Sequence, residues 1–286
     1  MKKNKLGVKI GLGLLIIVII ALIGVIIWGI TSGNGFTFFE EPVVIYDNAF
    51  EGLESINVDA ASYDVEIKES NNDAVQVEIS GSEKNKDKFN VEEENGNLTI
   101  SESGSSVCIG FCLNGAITIY LPKQDITYTH KSSSGSLNSD IDLGNVDINT
   151  TSGDITLKNI NDGTISSISG NINVANANKL NASATSGDIS LDEVRDIVIT
   201  SKSGNVEVKS ITLKMDITTT SGDIDILSLS IEEDSKAEAR SGNIDIKLDK
   251  DVFIDATTRS GDIDIDNTNA SPILTIKTTS GDITAK

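Results

Sequence analysis

Residues 149–157 read NTTSGDITL, residues 183–191 read SATSGDISL and residues 218–226 read TTTSGDIDI. They share one plan: a Ser-Gly pair, an Asp, then apolar residues at every second position. The plan recurs with glycines at Gly135, Gly153, Gly170, Gly187, Gly204, Gly222, Gly242, Gly261 and Gly281, in steps of 18, 17, 17, 17, 18, 20, 19 and 20 residues. Serine precedes each of them. After the first copy the next residue is Asp154, Asn171, Asp188, Asn205, Asp223, Asn243, Asp262 or Asp282.

The apolar residues set the fold class. Ile155 and Leu157, Ile189 and Leu191, and Ile263 and Ile265 follow their glycines by two and four positions, while Ile148, Ile199, Ile217 and Ile276 precede theirs by five. Period-two alternation marks half-buried strands and not helices. A single unit cannot bury its apolar side alone, whereas coils of this length stacked at roughly 4.8 Å place like residues over like and build a narrow continuous core. The expected fold is all-β, a single-stranded β-solenoid of 17–20 residue coils. A propeller would need blades of about 40 residues with aromatic signatures. A two-sheet sandwich is the alternative, chiefly for the part before Gly115.

Within such a stack the residues after the glycines form a column. An unbroken run of Asp would accumulate like-charge repulsion, and alternating Asn roughly doubles the carboxylate spacing. Asp154, Asn171, Asp188, Asn205, Asp223, Asn243, Asp262 and Asp282 are therefore read as a structural turn ladder. A calcium site there would require several oxygens converging on one point. Small residues three before the glycine, such as Thr150, Ala184, Ala239 and Thr258, suit a tight corner.

The chain opens differently. Residues 10–30, IGLGLLIIVIIALIGVIIWGI, carry no charge and follow Lys2, Lys3, Lys5 and Lys9. As a helix this stretch would cross a hydrocarbon core of roughly 30 Å, with the N-terminus held in the cytoplasm and the remainder extracellular. A cleaved signal peptide is the rival, and it would have a shorter apolar run and a small-residue cleavage site. The expected organisation is a basic N-terminus at 1–9, a transmembrane helix at 10–30, a juxtamembrane linker at 31–49, less regular coils at 50–134 and the regular repeats at 135–286. Gly96 and Gly115 resemble turns of the earlier coils.

Cys108 and Cys112 are the only cysteines. They read as a disulfide pinning a short loop or as free buried thiols, and two cysteines alone make no zinc site. His130, the only histidine, lies in a polar stretch and is expected at the surface. There is no P-loop, dinucleotide fingerprint or G-x-S-x-G elbow. Acids are spread evenly through the coils, and sugar-stacking aromatics are sparse there. No catalytic residue, cofactor or metal ligand is expected, and a carbohydrate-active β-helix enzyme is the least favoured reading. With 43 acidic against 23 basic side chains and a net charge of −20, the chain is poorly suited to nucleic acid.

The segment SINVDAASYDVEIKES at 55–70 and the recurring [TKR]-S-G-[DN]-I-x-I units resemble a large bacterial family of cell-envelope proteins labelled candidate adhesins, including the membrane-anchored LiaG-like proteins of Gram-positive envelope-stress operons. The resemblance spans about residues 40–286. It implies a β-solenoid outside a bacterial membrane and supplies no catalytic residues. The expected function is a non-enzymatic cell-surface interaction role, in adhesion or envelope stress, with a self-associating envelope scaffold as the alternative. The partners expected are the membrane through residues 10–30, a cell-wall polymer or envelope protein, and a second copy of the chain. Association is expected through the last coil, at Ile283.

Overall fold

The computed structural model describes residues 42–103, 115–122, 126–266, 268 and 270–286. These fall in one compact unit, Pro42–Cys108 with Asn114–Lys286. Its centre consists of four long strands, β11 (Ile155–Ser167), β12 (Ile172–Ala184), β13 (Ile189–Ser203) and β14 (Val206–Ser221). Each follows a Ser-Gly-Asx turn and passes a second corner near its middle, so that it contributes to two parallel ladders.

In the first ladder Ile155, Ile172, Ile189, Val206, Ile224 and Ile244 stand in register. In the second, Ile148, Ile165, Ala182, Ile199, Ile217 and Ala237 do so. All twelve are buried and share one core. Burial of each large aliphatic side chain is worth about 1.5–3 kcal/mol. The ladders continue through β15 (Ile224–Leu229), β16 (Ser235–Ser241), β17 (Ile244–Leu248), β18 (Phe253–Thr258), β19 (Ile263–Ile265), β20 (Ile273–Ser280) and β21 (Ile283–Ala285).

The C-terminal coil is not the last in space. β20 lies between β16 and β18, and β21 lies between β17 and β19. The coil of β18 and β19 therefore ends the stack, and Ile283 is 1% exposed. This corrects the expectation that the stack ends at Ile283. The step over the place of one coil is made by residues 249–252, between β17 and β18. Four extended residues reach up to roughly 13 Å, enough for the roughly 10 Å of two strand spacings.

The opposite end is also interleaved. The strands there are β1 (Val43–Phe50), β2 (Ser55–Ala60), β3 (Asp64–Glu69), β4 (Val75–Gly81), β5 (Phe89–Glu94), β6 (Asn97–Glu102), β7 (Ala116–Leu121), β8 (Thr127–Ser132), β9 (Leu137–Leu143) and β10 (Val146–Thr150). β2 pairs with β6 and β8, and β3 with β7 and β9, all in parallel. Beyond them the direction changes: β1 pairs with β4, β4 with β7 and β5 with β6, all antiparallel. Gly96 belongs to the two-residue hairpin turn between β5 and β6, where Asn95 (φ +52°) and Gly96 (φ +79°) both adopt positive φ. Asn-Gly tolerates this pair of conformations well.

No helix among the described residues is long and apolar enough to cross a membrane. The one helical segment described, a 3₁₀ turn at Glu83–Lys88, has six residues and spans about 12 Å. Among the described residues the solenoid is thus not preceded by the expected transmembrane helix, and nothing there supplies the membrane partner or the single-pass location. Residues 10–30, on which that expectation rested, lie outside the described residues, as do Cys108 and Cys112.

Candidate functional site

The Ser-Gly-Asx turns stack into one column, and the backbones set its spacing. A Cβ on Gly170 would lie 2.0 Å from the carbonyl oxygen of Gly153, and one on Gly187 would lie 2.0 Å from that of Gly170. Glycine is required because the coils approach so closely. Gly261 also has φ +145°. In spatial order the column runs Gly135, Gly153, Gly170, Gly187, Gly204, Gly222, Gly242, Gly281, Gly261. Tyr63 holds the glycine place beneath Gly135, its carbonyl oxygen 1.9 Å from where a Gly135 Cβ would sit.

Beside this column runs a chain of side-chain-to-backbone hydrogen bonds. The Asn171 N–H donates to Asp154 Oδ1 (2.8 Å), Asp188 to Asn171 (3.0 Å), Asn205 to Asp188 (2.8 Å) and Asp223 to Asn205 (3.0 Å). Asn243 then donates to Asp223 (2.7 Å), Asp282 to Asn243 (2.9 Å) and Asp262 to Asp282 (2.8 Å). All eight residues singled out in the sequence thus meet in one column, with Asp282 between Asn243 and Asp262. Asn accepts through its amide oxygen as Asp does through its carboxylate, so Asn at three of the eight positions keeps every acceptor while lowering the charge.

Hydroxyls three residues before the glycines complete the corner. Thr150 Oγ1 donates to the Gly153 carbonyl (3.1 Å), Ser201 Oγ to that of Gly204 (3.1 Å) and Thr219 Oγ1 to that of Gly222 (3.1 Å). Ser167 Oγ instead accepts from the Gly170 N–H (2.8 Å). Size alone identified this position in the sequence, but its hydroxyls satisfy turn groups that would otherwise be buried without partners.

Two further features escaped the sequence reading. Ser62-Tyr63-Asp64-Val65-Glu66-Ile67 is the repeat motif with tyrosine in place of glycine, a signal present in the sequence. Asp64 Oδ1 accepts from the Ser136 N–H (2.8 Å), which extends the ladder to this coil. The Tyr63 ring occupies the space above Gly115, meets Phe89 edge-on at 4.7 Å, and its hydroxyl accepts from Asn85 Nδ2 (3.0 Å).

The other feature is His130, which is fully buried. It continues an inward column between Val58 and Ile148 because Tyr128 and His130 have inward parity on β8. The polar composition around it concealed that parity and made it look exposed. Its Nδ1 lies 3.4 Å from the Tyr128 hydroxyl, and its Nε2 has no partner. Burial lowers its pKa to about 4 and raises that of Tyr128.

Among the described residues no three His, Cys, Asp or Glu side chains are grouped to hold a metal ion. The outward acids Glu92 and Glu94, with Asn95, Asn97 and Thr99, line an open depression on the β5–β6 hairpin.

No curated protein matches the chain. Among solved structures it is similar to a candidate lipid-binding protein from Parabacteroides distasonis, at 18% identity over 84% of this chain and 96% of the other, with a TM-score of 0.51. It is also similar to a candidate adhesin from Bacteroides fragilis, at 16% identity over 87% and 98% with a TM-score of 0.47. A candidate adhesin from Parabacteroides merdae gives 13%, 83%, 94% and 0.44. At such identities the first of these speaks to the fold alone. The Toastrack DUF4097 profile matches residues 53–286, nearly the whole stack, and the chain belongs to that family.

Proposed function

We propose that this chain is a non-enzymatic interaction protein of the cell envelope, and that it lays one flat face of its stack along a cell-wall polymer. The observation that carries this reading is an outward column on the second ladder. Asn149, Ser166, Ser183, Thr200 and Thr218 stand side by side on successive coils, and Ser183 Oγ donates to Ser166 Oγ (3.1 Å). These five positions are uncharged on a strongly acidic molecule, and the column runs on into Lys131 at one end and Glu238 at the other. Its hydrogen-bonding groups repeat at the strand spacing of roughly 4.8 Å, which suits a repeating, hydroxyl-rich chain. Adhesion or an envelope-stress role would both use such a contact. The narrower likeness to membrane-anchored LiaG-like proteins plays no part in this reading.

The test is co-sedimentation of the full chain with purified cell wall. Saturable pelleting is expected, weakened about tenfold by the double change Ser183→Ala and Thr200→Val, which removes two hydroxyls and keeps the strands. Absence of pelleting, or pelleting indifferent to those changes, would sink the proposal. The alternative, a self-associating scaffold, has the exposed Ile263 at the end of the stack in its favour and the acidic edge there against it, and would appear as pelleting without wall.

A further inference from the structure

The stack ends at β19 with its rungs unfinished. Ile224 donates its N–H to the Asn243 carbonyl, Ile244 to that of Asp282 and Ile283 to that of Asp262, each at 2.9–3.0 Å. Ile263 is next in this column, and no described coil lies beyond it; β19 pairs with β21 alone. In the turn ladder the last acceptor is Asp282 Oδ1, and the Asp262 carboxylate beyond it stands where the next acceptor would. Ile263 is 42% exposed although its counterparts Ile244 and Ile283 are buried, and Phe253 and Ile273 are exposed beside one another at the same end. The β18 side is partly occupied, since Thr268 Oγ1 donates to the Val252 carbonyl (2.9 Å).

This edge is acidic. Asp255, Asp262, Asp264 and Asp266 are exposed in the last coil, whose one basic residue between β18 and β19 is Arg259. Lys286 reaches it from the neighbouring coil and pairs with Asp264. Two copies meeting end to end would bring these carboxylates against one another, so charge disfavours a second copy as the occupant.

We propose that the β19 edge accepts an extended segment of another polypeptide in which lysine or arginine alternates with apolar residues. The segment lies where a further coil would lie. Its backbone carbonyl takes the Ile263 N–H, one of its amides donates to the Asp262 carboxylate, its apolar side chains cover Ile263 and Ile265, and its cations stand beside Asp262 and Asp264. Strand addition draws affinity from main-chain bonds and specificity from alternate side chains. This contact uses a different surface from the polymer face and does not depend on that reading.

The probe is an acetylated, amidated octapeptide of alternating isoleucine and lysine, titrated against the full chain by fluorescence anisotropy. Saturable one-to-one binding is expected. A peptide of the same composition with its lysines in one block should bind about tenfold more weakly. Alternate amides of a strand point to opposite edges, so N-methylation of one alternate set should weaken binding about tenfold while the other set is tolerated. Ile263→Pro, which removes the outward donor, should weaken it similarly, and the methylated peptides give the same information without altering the protein. The proposal is overturned if the alternating peptide fails to bind, if the block peptide binds equally well, or if both methylated sets behave alike. It is also overturned if the free chain dimerises and Ile263→Pro returns it to a monomer, since a second copy is then the occupant. Failure here with wall binding intact leaves the polymer reading standing.

Discussion

The two ends of the stack solve the same problem differently. At the N-terminal end the parallel rungs give way to the antiparallel strands β1, β4 and β5, and the glycine column stops under the Tyr63 ring. The outermost strands there are poor templates for further pairing: β1 is irregular between Val44 and Tyr46, and β5 carries Glu92, Glu93 and Glu94. Bulges and charges are common ways of blunting a sheet edge. At the C-terminal end the rungs stay parallel and in register to the last coil, and the deterrents beside β19 are Asp262, Asp264, Asp266 and the Lys286 contact. One end is closed by a change of direction and a ring; the other is left ready to pair.

The sharpest way to break this comparison is to place the same clash at each end. A Cβ on Gly135 would lie 1.9 Å from the Tyr63 carbonyl oxygen, and a Cβ on Gly261 2.1 Å from that of Gly281. Neither is tolerable, so a coil must move. Under the cap, coils on both sides hold Gly135, and Gly135→Ala should cost about 4 kcal/mol or more. At the open end the outer coil can tilt away, and Gly261→Ala should cost about 2 kcal/mol, including its positive φ. Urea midpoints of the two variants measure the difference. Equal losses would mean that the last coil is held as firmly as those under the cap.

The same comparison separates what the sequence disclosed from what it withheld. The Ser-Gly-Asx turns and the flanking alternation located the repeated strands because turn chemistry and period-two burial are local properties. The order of the coils was hidden. Every coil offers the same rung to any neighbour, so nothing local obliges 273–286 to lie outside 253–265 rather than between that coil and 235–248. Ile263 and Ile265 carry the inward pattern as plainly as Ile283, yet they lie at the end of the stack and are the more exposed. Of the site residues, the Asx ladder was legible from its spacing. The hydroxyl bonds of Thr150 and Thr219, the plug at Tyr63 and the burial of His130 depend on which atoms meet across coils. Asn95-Gly96 carried a hairpin signal that its resemblance to the coil turns masked.

A second test sharpens the contrast through pH. His130 lies in the N-terminal part of the stack, with a folded pKa of about 4 against an ordinary 6.5. Between those values the unfolded chain binds a proton that the folded chain refuses. This contribution leaves stability intact above about pH 6.5 and erodes it as pH falls towards 4, by about 3 kcal/mol in all. Its cause is burial, with no charged partner contributing. His130→Val, matching Val58 on the adjoining rung, should remove that part of the acid sensitivity. Chemical denaturation of both proteins between pH 7.5 and 4 checks it, and parallel curves would contradict the burial of His130. Hydrogen exchange at pH 4.5 should show β8 and its neighbours loosening, whereas at neutral pH the fastest-exchanging rungs should belong to β19.

The smallest expected effect probes the ladder where it approaches the open end. Asn243 separates Asp223 from Asp282, and beyond Asp282 comes Asp262. Asn243→Asp keeps an oxygen to accept the Asp282 N–H, so the hydrogen bonds survive and only the charge changes. Four carboxylates would then follow one another at roughly 4.8 Å, each exposed pair repelling by about 1 kcal/mol in water. Flexible side chains and counterions relieve much of this, leaving a net loss of about 1 kcal/mol at low salt and little in 1 M salt, where the screening length is about 3 Å. Because the outer coil is the part free to yield, the loss should appear first as faster exchange of the Ile283 amide, which bonds across to Asp262. Asn171→Asp places three carboxylates in a row deep in the stack, where coils on both sides prevent separation, and should leave local exchange unchanged. If both variants loosen their rungs alike, openness at the C-terminal end has no bearing on how the ladder bears charge.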